Sequence, residues 1–227
     1  MVRLLNNILV SYSLTVFRKV TEGKGIDLID EGEITNGPLN GIETSKLGEY
    51  QMDKTVYLVR HCKAAGQELQ AELTEQGKEQ AIELRHFFKE RNIKQIISSP
   101  FTRAIQSIQP TADILDLEVE IDRRLAEHKL ISKNLKDWLE RLEESIREKD
   151  LKMAGGESSS EVAKRGMEVL EAATDGTVLV THRNTMGLLL MQIDGMKGLK
   201  EWTGLSHPDV YEVKVQKDTY FVRRIWG

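Results

Sequence analysis

The chain has 227 residues, 30% of them charged, with a net charge of −4. It is long enough for one large domain or two small ones, and its charge balance excludes both the basic footprint of a nucleic-acid binder and a disordered acidic composition. A single cysteine excludes an internal disulfide and a disulfide-built secreted scaffold, and no apolar run approaches the ~20 residues that span a bilayer, so the expected setting is the cytoplasm, away from membranes.

The N-terminal stretch "MVRLLNNILVSYSLTVFRKV" carries Arg3 and an apolar run from Leu4 to Phe17 that Asn6, Asn7, Ser11 and Ser13 interrupt. No small-residue cleavage site follows, so it reads as an extension, surface-packed or poorly ordered, rather than a targeting peptide. Residues 20–50 are rich in Gly, Glu and Asp, with turn clusters at Asn36-Gly37-Pro38 and Asn40-Gly41 and little periodicity. The folded domain is expected to begin at Met52, itself a candidate alternative start, leaving residues 1–51 as an extension of unknown role.

From Met52 on, strands and helices alternate. Val56–Val59 predicts a buried strand. Thr74 caps a helix that puts Ala81, Leu84, Phe87 and Phe88 on one side. Ile96 and Ile97 form a short strand ending in Ser98-Ser99. A helix follows to about Leu115, with Ser99 as N-cap, Pro100 at the first helical position and Arg103 one turn in. Val119–Ile121 is a brief extended piece. "NLKDWLERLEESIREK" predicts an amphipathic helix, and "ESSSEVAKRGMEVLEAA" another, with Ser158 and Glu161 set as a capping box. "TVLVT" at 177–181 is a buried strand and "TMGLLLMQI" an apolar helix. Val210–Val215 and Tyr220–Ile225 close the chain as a hairpin around Lys217-Asp218. Such alternation predicts a three-layer α/β/α sandwich with a mostly parallel central sheet.

Active sites in such folds lie beyond the carboxyl ends of the strands. The first strand ends in Arg60-His61, the second in "SSPFTRA", and the last core strand in Thr181-His182-Arg183-Asn184. Parallel pairing gathers these ends on one edge. Two imidazoles, several guanidiniums and a helix N-terminus at one place suit a phosphoryl group.

The segments "VYLVRHCKA", "LTEQGKEQA", "IISSPFTRAIQSIQ", "RLAEHKL", "GGESSSEVAKR" and "VLVTHRNTM", in this order from about Thr55 to Ile225, resemble the histidine phosphatase superfamily, also called phosphoglycerate-mutase-like. The resemblance implies a catalytic domain over 52–227 that works without a metal or other cofactor. It implies His61 as the nucleophile that becomes phosphorylated, Arg60 and Arg103 as phosphate-binding residues, and His182 as the second histidine of the phosphate pocket. Glu127 is implied as proton donor to the leaving alcohol. Arg183 and Asn184, at the same strand end as His182, are candidate substrate-binding residues. The expected partner is a small phosphorylated metabolite or a phosphoprotein, not a nucleic acid.

The chain departs from the family pattern in three places. Cys62 stands where glycine usually follows the nucleophile, Arg183 where glycine often follows the second histidine, and Lys63 where Glu, Gln or Ser is common. A Cβ at the first two positions raises the question of crowding at the phosphate or a changed φ. Arg183 is either a third cation or a plug in the substrate mouth. His128 reads as a solvated loop residue, and His86 and His207 receive no role. Glu157 and Ser158 match a family pocket motif, which the capping box explains equally well.

Cys62 is not a cysteine-phosphatase nucleophile, because Glu68 stands where that chemistry needs an arginine. "EGKGID" lacks the spacing and hydroxyl of a nucleotide loop, and no Cys/His spacing suits zinc. The leading expectation is a phosphomonoester hydrolase with a phosphohistidine intermediate. The alternatives are a phosphoglycerate mutase and a module that binds phospho-ligands without turnover. The short segment between Lys63 and Leu73, and the Glu127-His128-Lys129 sequence, favour the hydrolase.

Overall fold

The structure, a computed structural model, describes residues 53–129, 144–152, 154–217 and 219–227. The expected N-terminal extension, the domain boundary at Met52 and most of the amphipathic helix expected over 134–149 lie outside the described residues. The described elements are β1 (Lys54–Arg60), α1 (Glu75–Phe88), β2 (Gln95–Ser98), α2 (Thr102–Leu115), β3 (Val119–Ile121), a 3-10 turn (Arg123–Leu125), α3 (Ser159–Ala172), β4 (Thr177–Thr181), α4 (Arg183–Thr203), β5 (Asp209–Gln216) and β6 (Thr219–Arg224).

One six-stranded sheet has the order β3-β2-β4-β1-β5-β6. β1 pairs in parallel with β4, β4 with β2, and β2 with β3, while β5 runs antiparallel to both β1 and β6. The expected C-terminal hairpin therefore adds to the edge of β1, and β5 alone opposes the other strands. The sheet is mixed but mostly parallel, as the alternation of elements predicts.

The strand period of two sorts the side chains into two cores. Val56, Leu58, Leu179, Tyr211 and Val213 face one side and pack with Val162 and Leu170 of α3 and Met186 and Leu189 of α4. Val59, Ile96, Val178, Val180 and Val210 face the other, against Ala81, Leu84 and Phe88 of α1 and Ala104, Ile108 and Ala112 of α2. β4 is buried at all five positions, which is why "TVLVT" shows no alternation. Each such aliphatic or aromatic side chain contributes roughly 1.5–3 kcal/mol on burial, so the sheet edge that carries Arg60, His61 and His182 rests on a rigid support.

Local signals act as the sequence predicts at two helix starts. The Thr74 hydroxyl accepts from Gly77 N at 3.0 Å, and Ser158 and Glu161 form a reciprocal capping box. The start of α2 differs from expectation. Phe101 is its N-cap and Thr102 its first residue, so Arg103 is the second helical residue. Ser99 instead extends the sheet, donating from its backbone N to Val180 O at 3.0 Å, and its hydroxyl is engaged elsewhere. α4 breaks at Asp194–Gly195, where Gly195 takes φ +54°, a conformation glycine adopts without steric cost.

α1 also fixes the loop that leaves β1. The backbone of Thr74 donates to Lys63 O at 3.0 Å, and a Cβ on Gly77 would come within 2.0 Å of that same oxygen. Alanine is a better helix former than glycine by about 1 kcal/mol, but a backbone oxygen cannot move aside without shifting the loop after His61. Gly77→Ala is therefore expected to destabilise the domain by a net ~1–2 kcal/mol or more, read as a lower midpoint in chemical denaturation. An unchanged or raised midpoint would mean α1 is not seated on that carbonyl.

Candidate active site

The register Arg60↔Thr181 between β1 and β4 continues one step past both strands, where His61 N donates to Thr181 O at 3.0 Å. Ser99 is tied to β4 in the same way from the other side. The three strand ends therefore deliver His61, Ser99 and His182 side by side, with the two imidazole centroids 5.1 Å apart. The Ser99 hydroxyl lies 2.7 Å from His182 Nε2. The same hydroxyl accepts from Phe101 N at 3.3 Å, just before α2 begins. Phe101 packs edge-on against His182 with centroids 4.7 Å apart.

His61 has a defined tautomer. Its Nδ1 lies 2.6 Å from the carbonyl oxygen of Cys62, which can only accept, so Nδ1 carries the proton. Nε2 then holds a lone pair and accepts from Arg103 Nε at 3.2 Å. Burial is the main cause that lowers the His61 pKa to about 3, with Arg103, His207 and Arg60 adding to it. His182 is fully buried and held well below the usual histidine range, first by burial and then by His61 and the arginines. Its Nδ1 is buried with no partner among the described residues.

Cys62 presents no obstacle at this site. Its side chain is fully buried in the apolar cluster with Val59, Leu73 and Phe88, and its backbone N donates to Ser107 Oγ at 2.8 Å. Burial pushes the thiol up to about 12, so it is an inert core residue. Neither Cys62 nor Arg183 has a positive φ; among the described residues only Asp116 and Lys217 do so without being glycine. The replaced glycines therefore cost the backbone nothing.

The two expected arginines are both buried, at 6% and 1% relative exposure for Arg60 and Arg103. Arg60 donates from Nη1 to Leu205 O at 2.9 Å and Ser206 O at 3.0 Å, and from Nη2 to His207 Nε2, while its Nε is buried and unpartnered. Arg103 donates from Nη1 to Gln67 O at 3.1 Å and Glu68 O at 3.0 Å, besides its bond to His61. Among the described residues, neither guanidinium is ion-paired to a carboxylate. Burial lowers the pKa of Arg60 to about 10, with Arg183 as the next cause.

His207, given no role from the sequence, belongs to this cluster. Its ring centroid is 5.2 Å from that of His61 and its Nδ1 lies 3.1 Å from His61 O. The signal that could have found it is topological. An antiparallel strand beside β1 begins at the edge where β1 ends, as the register Arg60↔Asp209 shows, so residues just before β5 fall at the site.

Glu127 follows the 3-10 turn and is held over the start of α4. Its carboxylate accepts from His128 N at 2.8 Å, Thr185 N at 3.2 Å and Asn184 N at 3.4 Å. Thr181 Oγ1 and Thr185 Oγ1 donate to Leu125 O and Ala126 O at 2.7 and 2.9 Å, which fixes the turn from which Glu127 projects. His128 differs from expectation. It is buried, at 4% exposure, because its Nε2 bonds Glu157 O at 3.0 Å. Glu157 is paired with Arg165 and accepts from Lys129 N, so it braces the 127–129 segment rather than taking part in the Ser158 capping box. Arg183 is exposed and Asn184 buried with its Oδ1 unpartnered. His86 is exposed on α1, away from these groups.

These residues line one cleft of about 840 Å³: Arg60, His61, Gln67, Phe101, Arg103, Ala126, Glu127, His128, Lys129, Glu157, Arg183, Asn184 and His207. Every expected site residue except His182 is part of its wall, and His182 packs directly behind His61. A neutral imidazole whose Nε2 faces Arg103, two buried cations and an adjacent carboxyl group are groups that can engage an anionic, electrophilic centre.

Comparison with known proteins agrees. The family model for the histidine phosphatase superfamily (branch 1) matches residues 56–225, and the chain belongs to that superfamily. It is 29% identical over 161 residues to a protein of Erwinia tasmaniensis named "Probable phosphoglycerate mutase GpmB", covering 62% of this chain and 75% of that one. A mycobacterial glucosyl-3-phosphoglycerate phosphatase superposes with TM-score 0.58 at 20% identity, over 77% of this chain and 99% of that one. A phosphoglycerate mutase from Bacillus anthracis superposes with TM-score 0.61 at 20% identity, over 76% and 92%. These structural likenesses establish the fold. Among the described residues no helix is long and apolar enough to cross a membrane.

The His61 environment has a consequence for pH. Its folded pKa lies near 3 against an ordinary 6.5, so between these values the unfolded chain binds a proton that the folded chain refuses. Stability from this residue is intact above about pH 6.5 and is lost as pH falls toward 3. In nitrogen-detected NMR of the ligand-free protein, His61 is expected to stay in the neutral Nδ1–H form from pH 8 to pH 5. Titration of that ring with a midpoint near 6 would refute the assigned environment.

Proposed function

We propose that the protein is a metal-independent phosphomonoester hydrolase acting through a phosphohistidine on His61. The observation that carries this reading is the paired hydrogen bonding of that ring: Nδ1–H to Cys62 O fixes the tautomer, and Nε2 is left as a lone pair beside Arg103. In the first step Nε2 attacks phosphorus in line, the P–O bond to the alcohol breaks, and Glu127 as carboxylic acid protonates the departing oxygen. In the second, Glu127 as carboxylate takes a proton from water, whose oxygen attacks phosphorus and breaks the P–N bond. Inorganic phosphate leaves and both residues return to their starting states.

The equatorial oxygens carry the charge of the transferring group, and the guanidiniums of Arg60 and Arg103, both lining the cleft with His61, are assigned to it. If the Ser99 hydroxyl donates to His182 Nε2, the unpartnered His182 Nδ1 carries a proton and supplies a further donor. Arg183 and Asn184, at the start of α4, line the same cleft and are assigned to the substrate beyond its phosphoryl group. The substrate class is a small phosphorylated metabolite or a phosphoprotein.

A phosphoglycerate mutase is the second reading, favoured by the name of the Erwinia relative. The hydrolase is preferred because the segment between Lys63 and Leu73 is short and internally bonded. Ala65 N donates to Glu72 O and Ala71 N to Glu68 O, and its carbonyls at 67 and 68 are occupied in holding Arg103.

The test is phosphate release from an aryl phosphate by the purified full chain, with and without a chelator. Release is expected to survive the chelator and to vanish in His61→Ala, while Glu127→Gln lowers kcat by ~10²–10⁴-fold. Release that requires an added divalent ion, or that persists in His61→Ala, overturns the proposal. Isomerisation of phosphoglycerate that depends on a bisphosphate primer would establish the mutase instead. Tight vanadate binding without turnover would leave a phospho-ligand-binding module.

A further inference from the structure

We propose that His207 is a positioning residue that holds Arg60 in place without neutralising its charge; this rests on the reading of the cleft as a phosphoryl site. A guanidinium has no acceptor, so the Arg60 Nη2 contact requires His207 Nε2 to accept. The proton must then sit on Nδ1, which donates to His61 O. One neutral imidazole thus ties the phosphate-binding arginine to the backbone of the nucleophile.

The ring is itself anchored. The His207 carbonyl accepts from Gln80 Nε2 of α1 at 2.6 Å. Two residues further on, beyond Pro208, the fully buried Asp209 carboxylate accepts from Ser206 N at 2.8 Å and from Arg224 Nε at 2.9 Å. The turn that supplies Leu205 O, Ser206 O and His207 Nε2 to Arg60 is therefore fixed from two elements. The charged groups that bear on the ring are Arg60, Arg183 and Lys63, all cations, which together with burial keep His207 neutral.

A carboxylate at this position would grip Arg60 more strongly, since charge-assisted bonds are roughly twice as strong as neutral ones. It would also cancel the positive charge that an incoming dianion needs. A neutral acceptor orients the guanidinium and leaves that charge available. The cost is a buried cation with no carboxylate in contact, offset only from a distance by Glu127 and Asp209.

This separates stability from binding, and the separation can be measured. Inorganic phosphate is titrated by calorimetry into the full chain, and thermal unfolding is recorded without phosphate, for wild type, His207→Gln and His207→Glu. Glutamine offers an oxygen to Arg60 and an N–H to His61 O, and is expected to bind phosphate within about threefold of wild type. Glutamate has nearly the same shape but carries a negative charge and replaces the N–H at His61 O with an oxygen, and is expected to bind at least tenfold more weakly than the Gln variant. Equal binding by the Gln and Glu variants overturns the inference, as does a Gln variant that loses binding as severely as Glu. If the Glu variant does not fold, His207→Leu replaces it. Having no acceptor, it is expected to lose at least tenfold relative to Gln, and equal binding overturns the inference. Wild-type protein that binds no phosphate removes the phosphoryl reading and this inference together, an outcome distinct from the others.

Discussion

The site depends on two guanidiniums that are buried and left electrically open. Arg60 and Arg103 are each held by a pair of backbone carbonyls and one imidazole, and among the described residues neither meets a carboxylate in an ion pair. Taking a cation out of water is costly, and carbonyl acceptors recover only part of the loss. Glu127 and Glu68 act on Arg103 only from a distance. Glu127 and Asp209 likewise act on Arg60 from a distance, and in a low-dielectric cleft the attraction these cations offer an anion exceeds what the same charges would offer in water.

The rest of the fold can be understood as the means of tolerating that cost. The sheet edge is stiff because β1 and β4 are buried on both faces and bonded to each other up to His61. The loops that supply the carbonyls are short and tied down. The segment after β1 is pressed against α1 at Gly77 and its residues 67 and 68 close over Arg103, while the turn before β5 is locked by Asp209 and Arg224. Burial does a second task at the same place. It holds the pKa values of His61, His182 and His207 below the usual histidine range, so that the proposed nucleophile keeps its lone pair and the buried positive charge comes from the two arginines.

The departures from the family pattern are consistent with this plan. Cys62 faces the apolar cluster beneath β1, so its thiol adds packing and not reactivity. Arg183 is exposed at the first position of α4 and lines the cleft.

The identity of the strand-end residues was legible from the chain alone. Parallel strands share an edge, so Arg60, His61, His182 and the residues after β2 had to meet, and Thr74 and the Ser158–Glu161 box announced their helices through hydrogen bonds only a few residues long. The sequence could not show where side chains with a choice of partner would turn. Ser99 was expected to cap α2, but α2 begins two residues later than the sequence suggests, and its hydroxyl meets both Phe101 N and the imidazole of His182, 83 residues away. His128 was hidden because its acceptor, Glu157 O, is 29 residues away. His207 was hidden because it reaches Arg60 and His61 across 147 and 146 residues through an antiparallel pairing of β5 with β1. Local periodicity and capping determine which elements form. Contacts between groups distant in the chain depend on strand order and direction, and these are settled only when the two cores close on the sheet.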